Sequence, residues 1–294
     1  LGQGWLRGLL QTVLGVHRDR QVLHYQRETF VRWWARRSAG RKVGTGKKAA
    51  LFAGCLVNYQ ATDVGKATVQ VLEKNGVEVA LPDQSCCGMP SFDIGDTAAM
   101  VAAAERTIAS LKSWVDQGYD VVIPTPSCSL MVKREYVSLV AGDEAKRVAE
   151  HTYDISEYLM KMKREGGLAM DFTQKPGRVA YQVPCHLRDQ NIGFKSKELM
   201  ECAGAKVEVI EKCSGHDGSW SAKVEFFPLS MKIAQKAVRM VEQAPADLVA
   251  SDCPLAGLQL DQAGAVAHAG GRSSQHPIQI VRDAYGLPRD PRAS

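Results

Sequence analysis

The chain has 294 residues, 45% of them apolar, 23% charged and 7% aromatic, with a mean hydropathy of −0.20. These values exclude a disulfide-stapled peptide, a collagen and a wholly disordered tail, and the length is enough for one large core or two ordinary ones. The net charge of +5 is uneven: residues 1–50 sum to +9 and residues 51–294 to −4, so the basic character belongs to a leader, which argues against nucleic acid as a partner of the fold.

No run approaches the roughly 18–20 uninterrupted apolar residues of a spanning helix, and no signal-peptide pattern opens the sequence. The first residue is Leu1, and we expect further sequence upstream. In the leader, Leu6, Leu9, Leu10, Val13 and Leu14 recur at helical spacing beside Trp5. Arg18, Arg20, Arg27, Arg32, Arg36 and Arg37 follow, with Trp33 and Trp34 among them. Such a segment suits a peripheral contact of residues 1–40 with an anionic membrane surface, or docking on an upstream domain or partner subunit.

From residue 49 the pattern changes. Ala49 to Ala53 is an apolar run ending at Gly54-Cys55, followed by a helical segment from about Ala61 to Asn75 with Gly76 as its stop. Val77 to Val79 reads as a short strand leading to Cys86-Cys87-Gly88. A helix over roughly Thr97 to Trp114 places Val101, Ala104, Ile108 and Leu111 on one face, and the strand Asp120 to Ile123 leads to Cys128. The order then recurs. Arg178 to Val183 leads to Pro184-Cys185, a helix ends at Gly204, and Val207 to Val209 leads to Cys213-Ser214-Gly215. A helix from about Ser230 to Glu242 precedes the strand Asp247 to Ala250, which ends at Cys253. The offsets are 130 (Cys55 to Cys185), 127 (Cys86 to Cys213) and 125 (Cys128 to Cys253), so the chain encodes two homologous halves.

Alternation of strand and helix predicts an α/β fold: two homologous halves, each a small mainly parallel sheet with flanking helices, preceded by a basic helical leader. In such sheets ligand sites form beyond the carboxyl ends of the strands, where these cysteines would collect. With no secretion signal, the thiols read as reduced metal ligands or redox groups. Cys202 is the exception: it lies in a helix-like run and reads as core filler. His276, before Pro277, reads as a cap or packing residue. Gly54 and the Gly215–Gly218 loop give only a weak phosphate-loop signal.

The repeated Cys…Cys-Cys-Gly…Cys pattern resembles the CCG-domain (cysteine-rich domain) iron–sulfur proteins. These include the B subunit of heterodisulfide reductase, the iron–sulfur subunit of glycolate oxidase and the C subunit of anaerobic glycerol-3-phosphate dehydrogenase, and the sequence looks most like the last. The resemblance spans residues 49 to about 287. It implies cysteine-bound iron–sulfur clusters that carry electrons between a flavoprotein partner and a quinone or other acceptor, in the cytoplasm or peripherally on the cytoplasmic face of the membrane. It further implies an electron-transfer subunit of an oxidoreductase rather than a self-sufficient enzyme. Several members carry a ferredoxin-like domain; its Cys-x2-Cys-x2-Cys-x3-Cys run is not in this sequence and is expected upstream.

On this reading residues 1–48 are a basic amphipathic helical leader or linker and 49–140 the first CCG-type repeat. Residues 141–177 are a helical connector, and 178–294 a second, degenerate repeat. Cys55, Cys86, Cys87 and Cys128 form the first cofactor site, for a 4Fe-4S-type cluster. Adjacent cysteines fit one cubane awkwardly and suit a non-cubane form. Met131 stands where the full motif has a last cysteine. In the second repeat Ser214 and Ala256 replace two cysteines, leaving Cys185, Cys213 and Cys253, with His186 and His216 as further candidate metal ligands. The sequence leaves a cluster, another metal or nothing open there. Two other functions also stay open. One is direct reduction of a disulfide-type substrate on the cluster, the other a non-redox zinc-binding assembly module. Reduced structural thiols, or a Cys86–Cys87 disulfide, are the plainest alternatives.

Overall fold

The computed structural model describes residues 4–37 and 46–290. Leu1, the side chain of Trp5 and leader residues 38–45 lie outside the described residues. Four parallel strands build the first sheet, in the order β2-β1-β3-β4: β1 (Lys48–Leu51), β2 (Glu78–Ala80), β3 (Asp120–Ile123) and β4 (Thr152–Asp154). Three parallel strands build the second, in the order β6-β5-β7: β5 (Arg178–Gln182), β6 (Lys206–Ile210) and β7 (Leu248–Ser251). The order β2-β1-β3 repeats as β6-β5-β7, as the cysteine offsets imply. The central strands are continuous apolar runs because helices cover both sheet faces.

Residues 141–177 are not wholly helical. They hold helices Asp143–Glu150 and Ile155–Arg164, with β4 between them extending the first sheet. Three residues with a single apolar side chain, Thr152-Tyr153-Asp154, carry no alternation that marks a strand. In the second half the fourth position shrinks to one parallel bridge, Ala250 to Gln275. The helix Pro277–Ala284 returns to the first half, where buried Arg282 pairs with Asp63 at 2.7 Å and Gln279 donates to the same carboxylate. His276 caps this helix by accepting from Ile278 N–H, and its Nε2 donates to the Pro124 carbonyl at 2.9 Å. That contact ties the end of β3 to the second half.

The leader helix forms over Gly4–Leu14 and exposes Leu9, Val13 and Leu14. The segment after it is a strap across both halves of its own chain, a docking surface the sequence reading did not consider. His17 N–H donates to the Ala222 carbonyl and its ring stacks on Phe227, while Gln26 N–H donates to the Tyr59 carbonyl. Helix Phe30–Arg37 then buries Phe30 and Trp33 in the core of the first half.

A buried polar knot joins the halves. Ser196 donates to Asp252, whose other oxygen accepts from Tyr181, and Asp154 caps helix Ile155–Arg164 with one buried carboxylate oxygen unpartnered among the described residues. Burial, then the nearby Asp252 carboxylate, pushes Asp154 up to about 8. The unfolded chain releases this proton near pH 4. The unfolded state therefore binds fewer protons between about pH 4 and pH 8, and Asp154 makes stability fall as pH rises through that window. Asp154→Asn keeps the cap and removes the titration. Thermal melts should show the variant above wild type by about 2 °C or more at pH 8, with a smaller gap at pH 5. A constant gap would refute the assignment.

Candidate functional site

Each cysteine of the repeated pattern lies just beyond a strand's carboxyl end or in the loop that follows it. Cys55 opens the short helix after β1, Cys128 lies in helix Pro126–Leu130 after β3, Cys185 starts the helix after β5, and Cys253 caps the helix after β7. Cys86, Cys87 and Cys213 follow the edge strands β2 and β6. Gly54 has a φ of +65°, and a Cβ there would lie 3.1 Å from Cys128 Sγ. Glycine at this point lets the Cys55 loop close onto Cys128.

The first set is gathered. Its thiols form a hydrogen-bonded row, Cys55 to Cys86, Cys86 to Cys87 and Cys87 to Cys128. The shifts alternate in direction along the row. The hydrogen bond from Cys55, then that from Cys87, lowers Cys86 to about 2, and the hydrogen bond from Cys87 lowers Cys128. Donating these hydrogen bonds raises Cys55 and Cys87. Cys87 and Cys128 are buried, Cys55 and Cys86 exposed. All eight cysteines are free, so Cys86 and Cys87 are not joined as a disulfide.

The second set is gathered only in part. Cys185 donates to Cys213, and this hydrogen bond lowers Cys213 to about 6, helped by the Gly215 N–H at 3.3 Å. Cys253 is raised by burial, and the thiolate charge acting on it is that of Cys128 in the first half. The two candidate histidines are engaged at Nδ1: His186 shares a hydrogen bond with Ser127 Oγ at 2.9 Å, and His216 one with Arg20 at 2.8 Å. Cys202 lies apart from both sets, half-buried against the core, and accepts from Lys163 Nζ at 2.9 Å.

The sequence placed one site at each sheet; the structure joins them. A cavity of about 980 Å³ between the two sheet edges is lined by Cys55, Cys87, Cys128, Cys185, Cys213 and Cys253. Cys86 stays outside that wall, held by Cys55. The rest is mostly apolar and aromatic, including Leu56, Tyr59, Met89, Ile94, Trp220 and Ile233. Tyr25 of the strap reaches the same cavity.

Sequence reasoning missed the residues that brace these loops. Gln84 accepts from the N–H groups of Ala53 and Gly54 and donates to the Leu51 and Pro82 carbonyls, clamping the Cys55 loop to the Cys86 loop. Gln182 does the same below the second set, donating to the Val183 and Lys212 carbonyls and accepting from Ser251. Buried Tyr136 donates to the Cys87 carbonyl at 2.7 Å. A glutamine two or three residues before a cysteine in each half was the available signal. Thiolates and thiols from several loops make a soft donor set fitted to iron–sulfur chemistry. Among the described residues no three Cys, His, Asp or Glu side chains group as ligands of one ion. The thiols of the first set extend as a row instead.

Comparison with known proteins agrees with this architecture. The cysteine-rich domain of the CCG family matches residues 49–133 and again 179–261, more than half of the chain. The chain belongs to this family. It is 31% identical over 255 residues to lactate utilization protein A of Geobacillus thermodenitrificans, covering 82% of this chain and 98% of that protein. The protein of the same name from Geobacillus kaustophilus is 32% identical over 253 residues, with the same coverage of 82% and 98%. The C subunit of anaerobic glycerol-3-phosphate dehydrogenase from Escherichia coli is 27% identical over 283 residues, covering 95% of this chain and 69% of that protein.

Proposed function

We propose that this chain is an iron–sulfur electron-transfer subunit of an oxidoreductase complex, relaying electrons between a flavoprotein dehydrogenase and a quinone or other acceptor. The observation that carries the reading is the row of four thiols at one sheet edge, opening on an apolar cavity. Similarity to one subunit of a glycerol-3-phosphate dehydrogenase supports a flavoprotein partner. Cys55, Cys86, Cys87 and Cys128 would hold a 4Fe-4S-type group, the adjacent pair favouring a non-cubane form. Such a group supplies one-electron transfer without proton chemistry of its own. The protein residues set its surroundings. Gln84 and Tyr136 fix the loops, burial of Cys87 and Cys128 keeps one side dry, and the cavity admits an acceptor to the other. Loading must release the protons now held by Cys55 and Cys87, so uptake should be favoured by rising pH. Cys185, Cys213 and Cys253 are a second, weaker donor set.

No helix among the described residues is long and apolar enough to cross a membrane. We place the chain on the cytoplasmic side, with exposed Leu9, Val13 and Leu14 free to meet a membrane surface or the partner subunit. A second reading, direct reduction of a disulfide-type substrate, draws support from the Cys185–Cys213 pair on the wall of the shared cavity. The test is anaerobic mixing of the iron-loaded full chain, first reduced with dithionite and desalted, with menadione and separately with glutathione disulfide. The relay reading predicts fast reoxidation of the reduced chain by menadione, one quinone reduced per two electrons, and no reoxidation by the disulfide. Reoxidation of the reduced chain by glutathione disulfide, with two thiols released per two electrons taken from the chain, would overturn it in favour of the second.

A further inference from the structure

The second-half wall of the cavity holds polar groups that the relay does not use. Arg20, carried by the strap, is only 5% exposed, a burial that a charged side chain rarely reaches unless paired. Its Nη2 lies 2.8 Å from His216 Nδ1, and its Nη1 donates to Gln259 Oε1. Gln259 donates to Ser230 Oγ at 3.0 Å, and Ser230 Oγ donates to the Gly215 carbonyl at 2.7 Å. The leader arginine is thereby wired to the loop that carries Cys213.

A guanidinium has N–H donors and no acceptor, so His216 Nδ1 must accept in this contact and carries no proton. The neutral ring then holds its proton on Nε2. Burial, then the Arg20 charge, lowers His216 to about 4, which keeps it neutral in the physiological range. Its ring lines the cavity, and no hydrogen bond to Nε2 forms among the described residues.

We propose that Arg20 locks His216 in the Nε2–H tautomer as a hydrogen-bond donor to the cavity's ligand, not as a metal ligand, and that this ligand is a flat, largely apolar acceptor bearing a carbonyl oxygen. This deepens the relay reading and depends on it. Nε2–H needs an acceptor atom, and the cavity's walls, which include Tyr59, Ile94 and Trp220, favour an apolar body. Asp93 and Asp217 also line the cavity and disfavour an anion, which selects a neutral carbonyl over a carboxylate. Ser214 and Ala256, standing where the full motif has cysteines, line the same wall and leave it fewer thiols and more room. The strap is therefore a wall of the site, and Arg20 is a positioning residue acting through His216.

Menadione is the probe, titrated into the anaerobic, iron-loaded full chain with tryptophan fluorescence as the readout. His216→Phe should weaken binding about tenfold, the loss of one buried hydrogen bond. His216→Gln, which keeps an N–H donor, should recover most of it, and Arg20→Met should weaken binding nearly as much as His216→Phe. The bound iron should be unchanged in all three variants. With 15N-histidine labelling, no directly bonded nitrogen coupling from His216 should appear in pulsed EPR of the reduced protein. Loss of iron in His216→Gln, or such a coupling, would overturn the assignment in favour of a metal ligand. Equal menadione affinity in wild type and His216→Phe would overturn the donor role while leaving the relay intact. Failure of wild type to bind menadione would overturn the acceptor site and this inference with it.

Discussion

Cys128→Ala and Cys87→Ala should each lower bound iron and acid-labile sulfide roughly tenfold or more in protein prepared anaerobically. These two thiols form the buried end of the row, against the core of the first half. Cys128 is held low by the Cys87 hydrogen bond, so removing Cys87 also takes away the donor that stabilises the Cys128 thiolate. Cys202→Ser is the control and should leave iron unchanged, because Cys202 contacts Lys163 and the core rather than the row. Equal iron in all three variants would exclude the first set as ligands.

Gly215→Ala should be among the most destabilising single substitutions near the site. Gly215 has a φ of +78°, and a Cβ would lie 2.2 Å from the Ser230 carbonyl oxygen and 3.1 Å from the Ala234 nitrogen. Both are backbone atoms within helix Phe227–Gln243, which cannot give way locally. The left-handed backbone costs about 1 kcal/mol for alanine, and the clash brings the total to roughly 3 kcal/mol or more. Thermal unfolding should drop by about 6 °C or more. Gly271 has a similar φ of +69° with open space around its Cβ position. Gly271→Ala should therefore show only the backbone part, about 1 kcal/mol. Equal losses in the two variants would show that the contact with helix Phe227–Gln243 is not what the glycine serves.

The parallel sheets were legible because their strands are short apolar runs bounded by glycine and cysteine, and because the pattern occurs twice. The helix expected from about Ala61 to Asn75 spans Thr62–Lys74, and the strand Asp120–Ile123 is found as read. His276 is a cap, as its place before Pro277 suggested. β4 was not legible, since three residues with one apolar side chain give no period and the strand exists only by pairing with β3. Nor was the joining of the two cysteine sets. Periodicity describes each half, whereas the shared cavity follows from contacts far apart in sequence, such as Arg282 with Asp63 and His276 with Pro124. The strap escaped for the same reason. Its arginines read as meeting a membrane surface, an upstream domain or a partner subunit, and only the fold shows that Arg20 is buried against Gln259 and His216.

Mössbauer spectroscopy of the full chain, reconstituted anaerobically with 57Fe and sulfide, tests the four-thiol row most directly. A multi-iron cluster signal should appear in wild type, persist in Cys202→Ser and vanish in Cys128→Ala. A protein that instead takes up one zinc per chain with no iron or sulfide, or that keeps its full cluster signal without Cys128, would contradict the account.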